Sequence, residues 1–353
     1  MKTTPLGTTG LNISRACLGT MTFGEQVKAA EAPALLDYAV GEGINILDTA
    51  ELYAIPPKPE TAGVTETIIG DWLKKSGKRN DLTIVSKVMG RDDHRTWLRK
   101  KPRTLRLTRD QIDEAVEGSL RRLQIDHIDI YMFHFPDRVV KGLSFTDKPD
   151  LNDDFVAFET QLESIQAHID KGNIVHFAVS NETPWGVGRF CAEADKHGLP
   201  RPVCIENPLS LLVREFELEL AETALREKIG LFAYSPLAEG VLTGKYLDGS
   251  RPQRARLTIE DAVARYEEPG IKEATQAYVN LARQLGLTPE ALALKFVDSR
   301  PFVATTLIGC TDMDQLKRNI AAFATEWTED IETAIEDIFK RFRPLKLQSS
   351  QKT

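Results

Sequence analysis

The sequence predicts an α/β protein of the (β/α)8 TIM-barrel class, and three observations carry the prediction. Eight short apolar runs recur along the chain, continuous rather than alternating, as suits parallel strands buried on both faces. Between most of them lie stretches of about ten to eighteen residues that pair apolar residues at helical spacing with charges on the other face. Polar residues with reactive side chains follow directly on the runs. A parallel barrel would gather these at one end, where barrel active sites are built.

The chain opens on residues 2–14, where Gly7 and Gly10 punctuate a hairpin placed to close the bottom of the barrel. The expected strands are residues 15–18, 45–47, 82–85, 128–133, 174–179, 203–205, 231–233 and 304–308. The expected covering helices are 31–42, 65–75, 108–123, 154–171, 185–197 and 218–228, with 271–285, 289–298 and 329–341 filling out the far end. Thr108, with Gln111 three positions on, reads as a capping pair, and Gly43, Gly172 and Gly198 read as helix stops. Gly41-Glu42-Gly43 is only G-x-G before a strand, so it reads as a helix end rather than a dinucleotide fingerprint. Residues 239–270, rich in Arg, Gly and Pro, exceed an ordinary connection and are expected to form a lid. No Pro/Gly/Ser linker divides the chain, so one domain over residues 1–353 is expected, with 343–353 a disordered tail.

Composition narrows the function. With 353 residues, 42% of them hydrophobic, the chain is long enough to bury a large core. Its net charge of −7 argues against a nucleic-acid partner, which needs a clustered basic excess. The densest basic stretch, residues 91–109, reads as a solvated loop. Cys17, Cys191, Cys204 and Cys310 are scattered without metal-ligand or disulfide spacing, so neither a metal nor a disulfide framework is expected. No secretory pattern opens the chain and no run approaches the roughly 18 apolar residues of a membrane span, so a cytoplasmic protein with no membrane partner is expected. The sequence leaves the oligomeric state open, a homo-oligomer included.

Chemistry concentrates at the strand ends. Asp48 follows the second run, Lys87 the third and His134 the fourth, while Tyr53 lies five residues past Asp48. Together they offer a carboxylate, an amine, an imidazole and a phenol in a mostly apolar pocket, a set suited to donating a proton. A tyrosine of pKa near 10 is a poor acid, but a neighbouring ammonium favours the phenolate and is expected to lower that value. The carboxylate would keep the ammonium charged, and the imidazole would orient a substrate oxygen. Each residue also has a plainer role: Asp48 as a helix cap, Lys87 as an exposed strand-end lysine, His134 as a turn residue before Phe135-Pro136. Spacing alone does not choose between the two.

Longer segments do choose. Asp48-Thr49-Ala50-Glu51-Leu52-Tyr53 resembles the D-T-A-x-x-Y signature of the aldo-keto reductases, and Ser86-Lys87-Val88 resembles the family's lysine-bearing strand end. His134-Phe135-Pro136-Asp137 is similar to its H-W-P-D segment, Val179-Ser180-Asn181 to its G-V-S-N segment, and Tyr234-Ser235-Pro236-Leu237 with Gly244-Lys245-Tyr246 to its cofactor loop. The motifs stand in family order across nearly the whole chain. Residues 18–26, 56–61 and 181–183 resemble the bacterial Tas-like NADP(H)-dependent branch, a relative of the potassium-channel β subunits.

The resemblance implies NADPH/NADP+ as cofactor and a small-molecule carbonyl compound as substrate, with Tyr53 as proton donor assisted by Lys87 and Asp48, and His134 positioning the oxygen. It also implies a cofactor site. Thr20, Met21, Asp48, Ser180, Asn181, Glu206 and Tyr234 would lie near the nicotinamide, and Ser235, Pro236, Leu237 and Lys245 along the pyrophosphate. Gly309, Thr311, Gln315, Arg318 and Asn319 would meet the adenosine end at a helix N-terminus, a setting that favours an anion, with Arg256 or Arg254 as a clamp. Glu206 stands where the family usually carries Gln, and Arg318 where relatives often have Glu. Two other readings stand beside this one: a slow redox-sensing module that holds NADP(H), and a hydrolase using Asp48 and Glu206 as paired carboxylates.

Overall fold

Parallel strands satisfy their backbone only against neighbours on both sides, and eight of them can do so without an edge by closing on themselves. The computed structural model, which describes residues 1–140, 154–253, 255–259, 266 and 268–342, has that form. Two short strands, β1 (Thr3–Pro5) and β2 (Asn12–Ser14), form an antiparallel hairpin. The barrel follows as β3 (Ala16–Gly19), β4 (Ile46–Asp48), β5 (Thr83–Val88), β6 (Ile128–Phe133), β7 (Ile174–Ser180), β8 (Cys204–Pro208), β9 (Gly230–Tyr234) and β10 (Val303–Ile308). Sequential strands pair in parallel, and β10 returns to β3 to close the ring. The helices are α1 (Ala32–Gly41), α2 (Val64–Ser76), α3 (Arg109–Leu123), α4 (Phe158–Asp170), α5 (Pro184–His197), α6 (Glu215–Glu219), α7 (Ala221–Glu227), α8 (Arg256–Ile259), α9 (Ile271–Gln284), α10 (Pro289–Asp298), α11 (Met313–Ala322) and α12 (Glu329–Phe342). No helix among the described residues is long and apolar enough to cross a membrane.

Two apolar layers result. Cys17, Ile46, Val85, Ile130, Met132, Ala178, Cys204 and Phe232 fill the barrel interior, while Leu47, Ile84, Tyr131, Phe177, Ile205 and Leu231 face the helices. The hairpin contributes Leu6 and Ile13 to the interior layer and so plugs the bottom, as expected. Its turn runs tight against the body: Gly7 has φ +50°, and a Cβ there would lie 2.7 Å from the Lys228 carbonyl oxygen.

Some expected elements differ. The helix expected over 218–228 breaks at Leu220 into α6 and α7. The capping pair does not form, because the Thr108 hydroxyl donates to Asp110 Oδ1 at 2.6 Å and the Gln111 amide donates to the Thr104 carbonyl at 3.1 Å. The strands run further than the apolar runs suggested, so Asp48, Lys87, Ser180, Glu206 and Tyr234 lie within them rather than after them. Ladder pairs such as Asp48 with Val85, Lys87 with Met132 and Ser180 with Glu206 carry the sheet into the polar layer. Part of the expected lid, including Arg254, and the 343–353 tail lie outside the described residues.

Candidate active site

Side chains alternate along a strand, so the positions two beyond the interior apolar layer also point inward. On β4 that step runs from Ile46 to Asp48, on β5 from Val85 to Lys87, and on β8 from Cys204 to Glu206. Polar groups thus replace apolar ones at the mouth. Lys87 is fully buried and donates to Asp48 Oδ1 and to the Thr49 carbonyl at 3.1 Å, with Glu206 Oε1 at 3.4 Å from its Nζ. The buried ammonium of Lys87 thus faces two buried carboxyls, Asp48 and Glu206. The plainer reading of Lys87 as an exposed strand-end residue does not hold.

Tyr53 and His134 stand over this cluster. The Lys87 Nζ lies 5.3 Å from the Tyr53 ring centroid, and the Tyr53 and His134 rings meet edge-on at 5.6 Å. The structure thereby brings together all four residues expected to carry the chemistry. Around Tyr53 pack Ala50, Leu52, Met89 and Leu105, with Met21, Ile55, Trp97 and Leu98 at the margin, a wall drawn largely from the loops after β4 and β5.

Electrostatics follow from burial and from one cation facing two carboxyls. Burial raises Asp48, against the pull of Lys87. Glu206 is pushed up to about 8 by burial and by Asp48, with Lys87 opposing. The two carboxyls lift Lys87 above the usual lysine range despite its burial. Burial drives His134 well below the usual histidine value, with Lys87 adding to it, so its imidazole is neutral. Tyr53 departs from expectation. Lys87 does favour its phenolate, but burial is the larger effect and Asp48 and Glu206 reinforce it, so the phenol is a weaker acid than a free tyrosine.

The positions expected to hold a cofactor fall into three groups. Ser180 Oγ donates to the Glu206 carbonyl at 2.9 Å, Asn181 Nδ2 to the His134 carbonyl at 2.9 Å, and Tyr234 Oη to Asn181 Oδ1 at 2.7 Å. This ladder ties β6, β7, β8 and β9 together beside the cluster, while Thr20 Oγ1 donates to the Asp48 carbonyl at 2.6 Å from the other side. Ser235, Pro236 and Leu237 form the turn after β9, with Ser235 at φ +53° and Leu237 packed on the core. Lys245 follows that turn, and Arg256 Nε lies 4.0 Å from Glu239.

At the third group the expected anion site is altered. Thr311 bonds Gln315, and Asn319 donates to the Gly309 carbonyl at 3.1 Å, so these residues do meet. The N-cap of α11, however, is Asp312, whose carboxylate accepts from the Gln315 N–H at 2.8 Å. An acid already occupies the position a phosphate would favour. Arg318 is exposed on the same helix.

Sequence reasoning missed one supporting pair. Glu51 and Arg99 are both buried, and the guanidinium grips the carboxylate at 2.7 and 2.9 Å while the Met89 N–H donates to it at 2.8 Å. This pair ties the Tyr53 segment to the loop after β5. It also narrows the reading of residues 91–109 as a solvated loop: Arg95 and Arg103 stay partly exposed beside Asp92 and Asp110, whereas Arg99 is buried and Arg106 is mostly buried against Asp137. No local signal marked Arg99, whose partner lies 48 positions away. The four cysteines are free and buried, and no group that could hold a metal is found among the described residues.

Comparison with known proteins accords with this arrangement. The Aldo/keto reductase family matches residues 15–340. The chain is 46% identical to the protein tas of Escherichia coli (strain K12) over 337 residues, covering 93% of this chain and 94% of that one. It is 32% identical over 344 residues to an uncharacterized oxidoreductase, YrpG, of Bacillus subtilis (strain 168), covering 96% of each. A probable voltage-gated potassium channel subunit beta of Arabidopsis thaliana is 28% identical over 323 residues, 90% of this chain and 89% of that one.

Proposed function

The chain belongs to the aldo/keto reductase family of oxidoreductases, and we propose that it reduces aldehydes and ketones to alcohols with NADPH as hydride source. The observation that carries this reading is Tyr53, a protonated phenol standing beside a buried ammonium at the mouth of the barrel. Its Oη makes no hydrogen bond among the described residues, which leaves it open to a substrate oxygen. Tyr53 gives its proton to the oxygen of the carbonyl being reduced, and Lys87, held charged by Asp48, stabilises the phenolate left behind. His134, neutral, orients that oxygen without competing as an acid.

The fit to a nicotinamide rests on two buried atoms with no partner among the described residues, Glu206 Oε2 and His134 Nδ1, beside the Ser180, Asn181 and Tyr234 ladder. A bound nicotinamide would supply the hydride. Ser180, Asn181, Glu206 and Tyr234 would hold its ring end, Ser235 to Leu237 and Lys245 the pyrophosphate, and Arg256, Arg318 and residues 309–319 the adenosine end. The hydrolase reading loses ground, since both of its carboxyls engage the Lys87 ammonium and it leaves Lys87 and Tyr53 without a role.

Channel β-subunit relatives favour one other reading, a module that retains cofactor and turns over slowly. Steady-state NADPH oxidation with a nitrobenzaldehyde separates the two. Brisk turnover supports the reductase; retained cofactor with negligible turnover supports the sensor.

A further inference from the structure

We propose that Asp48 and Glu206 share one proton at neutral pH, and that Glu206, through this proton, is a positioning residue that keeps the Lys87 cluster electrically neutral beneath Tyr53. The first argument is hydrogen-bond counting. An ionised carboxylate only accepts, so two carboxyls that meet one cation can satisfy all their oxygens only if one of them holds a proton. Lys87 donates to Asp48 Oδ1 and the Thr49 carbonyl and lies 3.4 Å from Glu206 Oε1, so both acids stand at one buried ammonium, and no donor among the described residues reaches Glu206 Oε2.

The second argument is charge. All three side chains are buried, and directly below them lie Ile46, Val85, Cys17 and Cys204. Two carboxylates against one ammonium would leave an uncompensated negative charge in an apolar setting, which is far costlier than a neutral acid. One proton removes it. Glu206 is the better holder because Asp48 has the closer bond to Lys87, while Glu206 Oε2 is buried with no partner among the described residues, a position tolerable for a neutral carboxyl and costly for a carboxylate. The other titratable groups that feel Glu206 are Tyr53 from the loop after β4, Cys17 from β3 and Cys204 from its own strand, and burial keeps all three protonated.

The consequence rests on the reductase reading given above. When the Oη–H bond of Tyr53 breaks and its proton passes to the substrate oxygen, the phenolate relies on Lys87 for stabilisation. With Glu206 neutral the ammonium faces one carboxylate; with Glu206 ionised it faces two, and Tyr53 becomes a still weaker donor. Reduction should therefore fall as pH rises through the Glu206 titration.

The test compares the full-length wild type with Glu206→Gln, which keeps the shape and removes the titration. In the cofactor-free protein the folded state binds a proton that the unfolded chain releases at the ordinary glutamate value, so Glu206 contributes stability at low pH that is lost as pH rises. Relative to the variant, the folding equilibrium of the wild type should weaken by up to about tenfold per pH unit from about pH 5 to 8 and then level off. Curves that stay parallel throughout would overturn the proposal. Asp48→Asn leaves the burial of Glu206 in place but removes the second effect that raises it and leaves Lys87 facing Glu206 alone, so it should flatten the same slope, and either variant suffices if the other does not fold. In turnover, the ratio of wild-type to Glu206→Gln kcat for aldehyde reduction should fall several-fold between pH 7 and 9, and a constant ratio would deny Glu206 its positioning role. Absence of turnover in both proteins would sink the reductase reading instead, with the unfolding series still deciding the shared proton.

Discussion

Asp48 and Glu51 sit three positions apart in one segment, yet each enters a different kind of buried ion cluster. Glu51 meets Arg99 one to one, both carboxylate oxygens gripped by the guanidinium and one also taken by the Met89 N–H. Asp48 meets Lys87 in a cluster that holds a second carboxyl, Glu206, whose Oε2 has no partner among the described residues. The first cluster is balanced in charge and both oxygens of its carboxylate are bonded, although Arg99 Nε is buried without a partner among the described residues. The second is unbalanced and partly unsatisfied beneath Tyr53, and that is where protonation and a ligand can make a difference. Burial and unpaired atoms alone do not separate structure from chemistry, since both clusters have them; the balance of charge does.

The largest effect expected on this contrast comes from Tyr53→Phe. It removes the acidic proton above the unbalanced cluster and leaves the packing of Ala50, Leu52, Met89 and Leu105 intact. Proton donation of this kind is typically worth about 10² to 10⁴ in rate. The expected outcome is a kcat drop in that range with the NADPH dissociation constant nearly unchanged. Retention of more than about a tenth of the wild-type kcat, with the chemical step limiting, would show that Tyr53 is not the donor.

Arg99→Ala probes the balanced cluster and should behave in the opposite way. It strands the Glu51 carboxylate in the interior, and breaking a buried pair from one side costs about 3–5 kcal/mol. Denaturant unfolding should report that loss, whereas Tyr53→Phe should scarcely move it. Equal stability of Arg99→Ala and wild type would mean that Glu51 finds water or another partner, and the contrast between the clusters would fail.

These two clusters also mark how far the sequence could be read. Asp48, Lys87 and His134 were visible because each follows an apolar run, and a parallel barrel puts strand ends on one face. Their assembly around Tyr53 follows from that topology. Glu206 was visible as a strand-end residue, but its meeting with Lys87 was not, since it joins inward-facing positions on β5 and β8, which are not neighbours in the barrel. Arg99 was hidden in a basic stretch, because a one-dimensional charge pattern cannot tell a solvated arginine from one whose acid lies on another loop. The Tyr53 shift ran opposite to expectation for a related reason: an ammonium beside a phenol is a local inference, whereas burial and two carboxyls are collective ones.

A smaller effect concerns cofactor choice. On the proposed cofactor placement Arg256 and Arg318 would supply positive charge at the adenosine end, where a 2′-phosphate would sit, and one or two charge-assisted hydrogen bonds at about 1.5–3 kcal/mol each imply at least a tenfold preference for NADPH over NADH. Asp312 at the start of α11 works against this, so Asp312→Asn should widen the preference. Fluorescence titration at fixed salt measures both. Equal dissociation constants for NADPH and NADH would refute the assignment of these residues.

The smallest effect returns to Glu206 and distinguishes its two protonation states. An ionised carboxylate near the ring would favour the positively charged oxidised nicotinamide over the neutral reduced one; a protonated carboxyl would favour neither and, like an amide, could both donate and accept. Burial and Asp48 hold Glu206 at about 8, so near pH 6.5 it is mostly protonated and Glu206→Gln should leave the NADP+ to NADPH affinity ratio almost unchanged. Above about pH 8.5 the carboxylate dominates, and the same substitution should weaken NADP+ relative to NADPH by a factor of a few. Titrating both cofactor forms into both proteins at the two pH values measures the difference. A ratio that shifts equally at both would mean that Glu206 is ionised throughout, and a ratio that shifts at neither would make Glu206 as purely structural as Glu51.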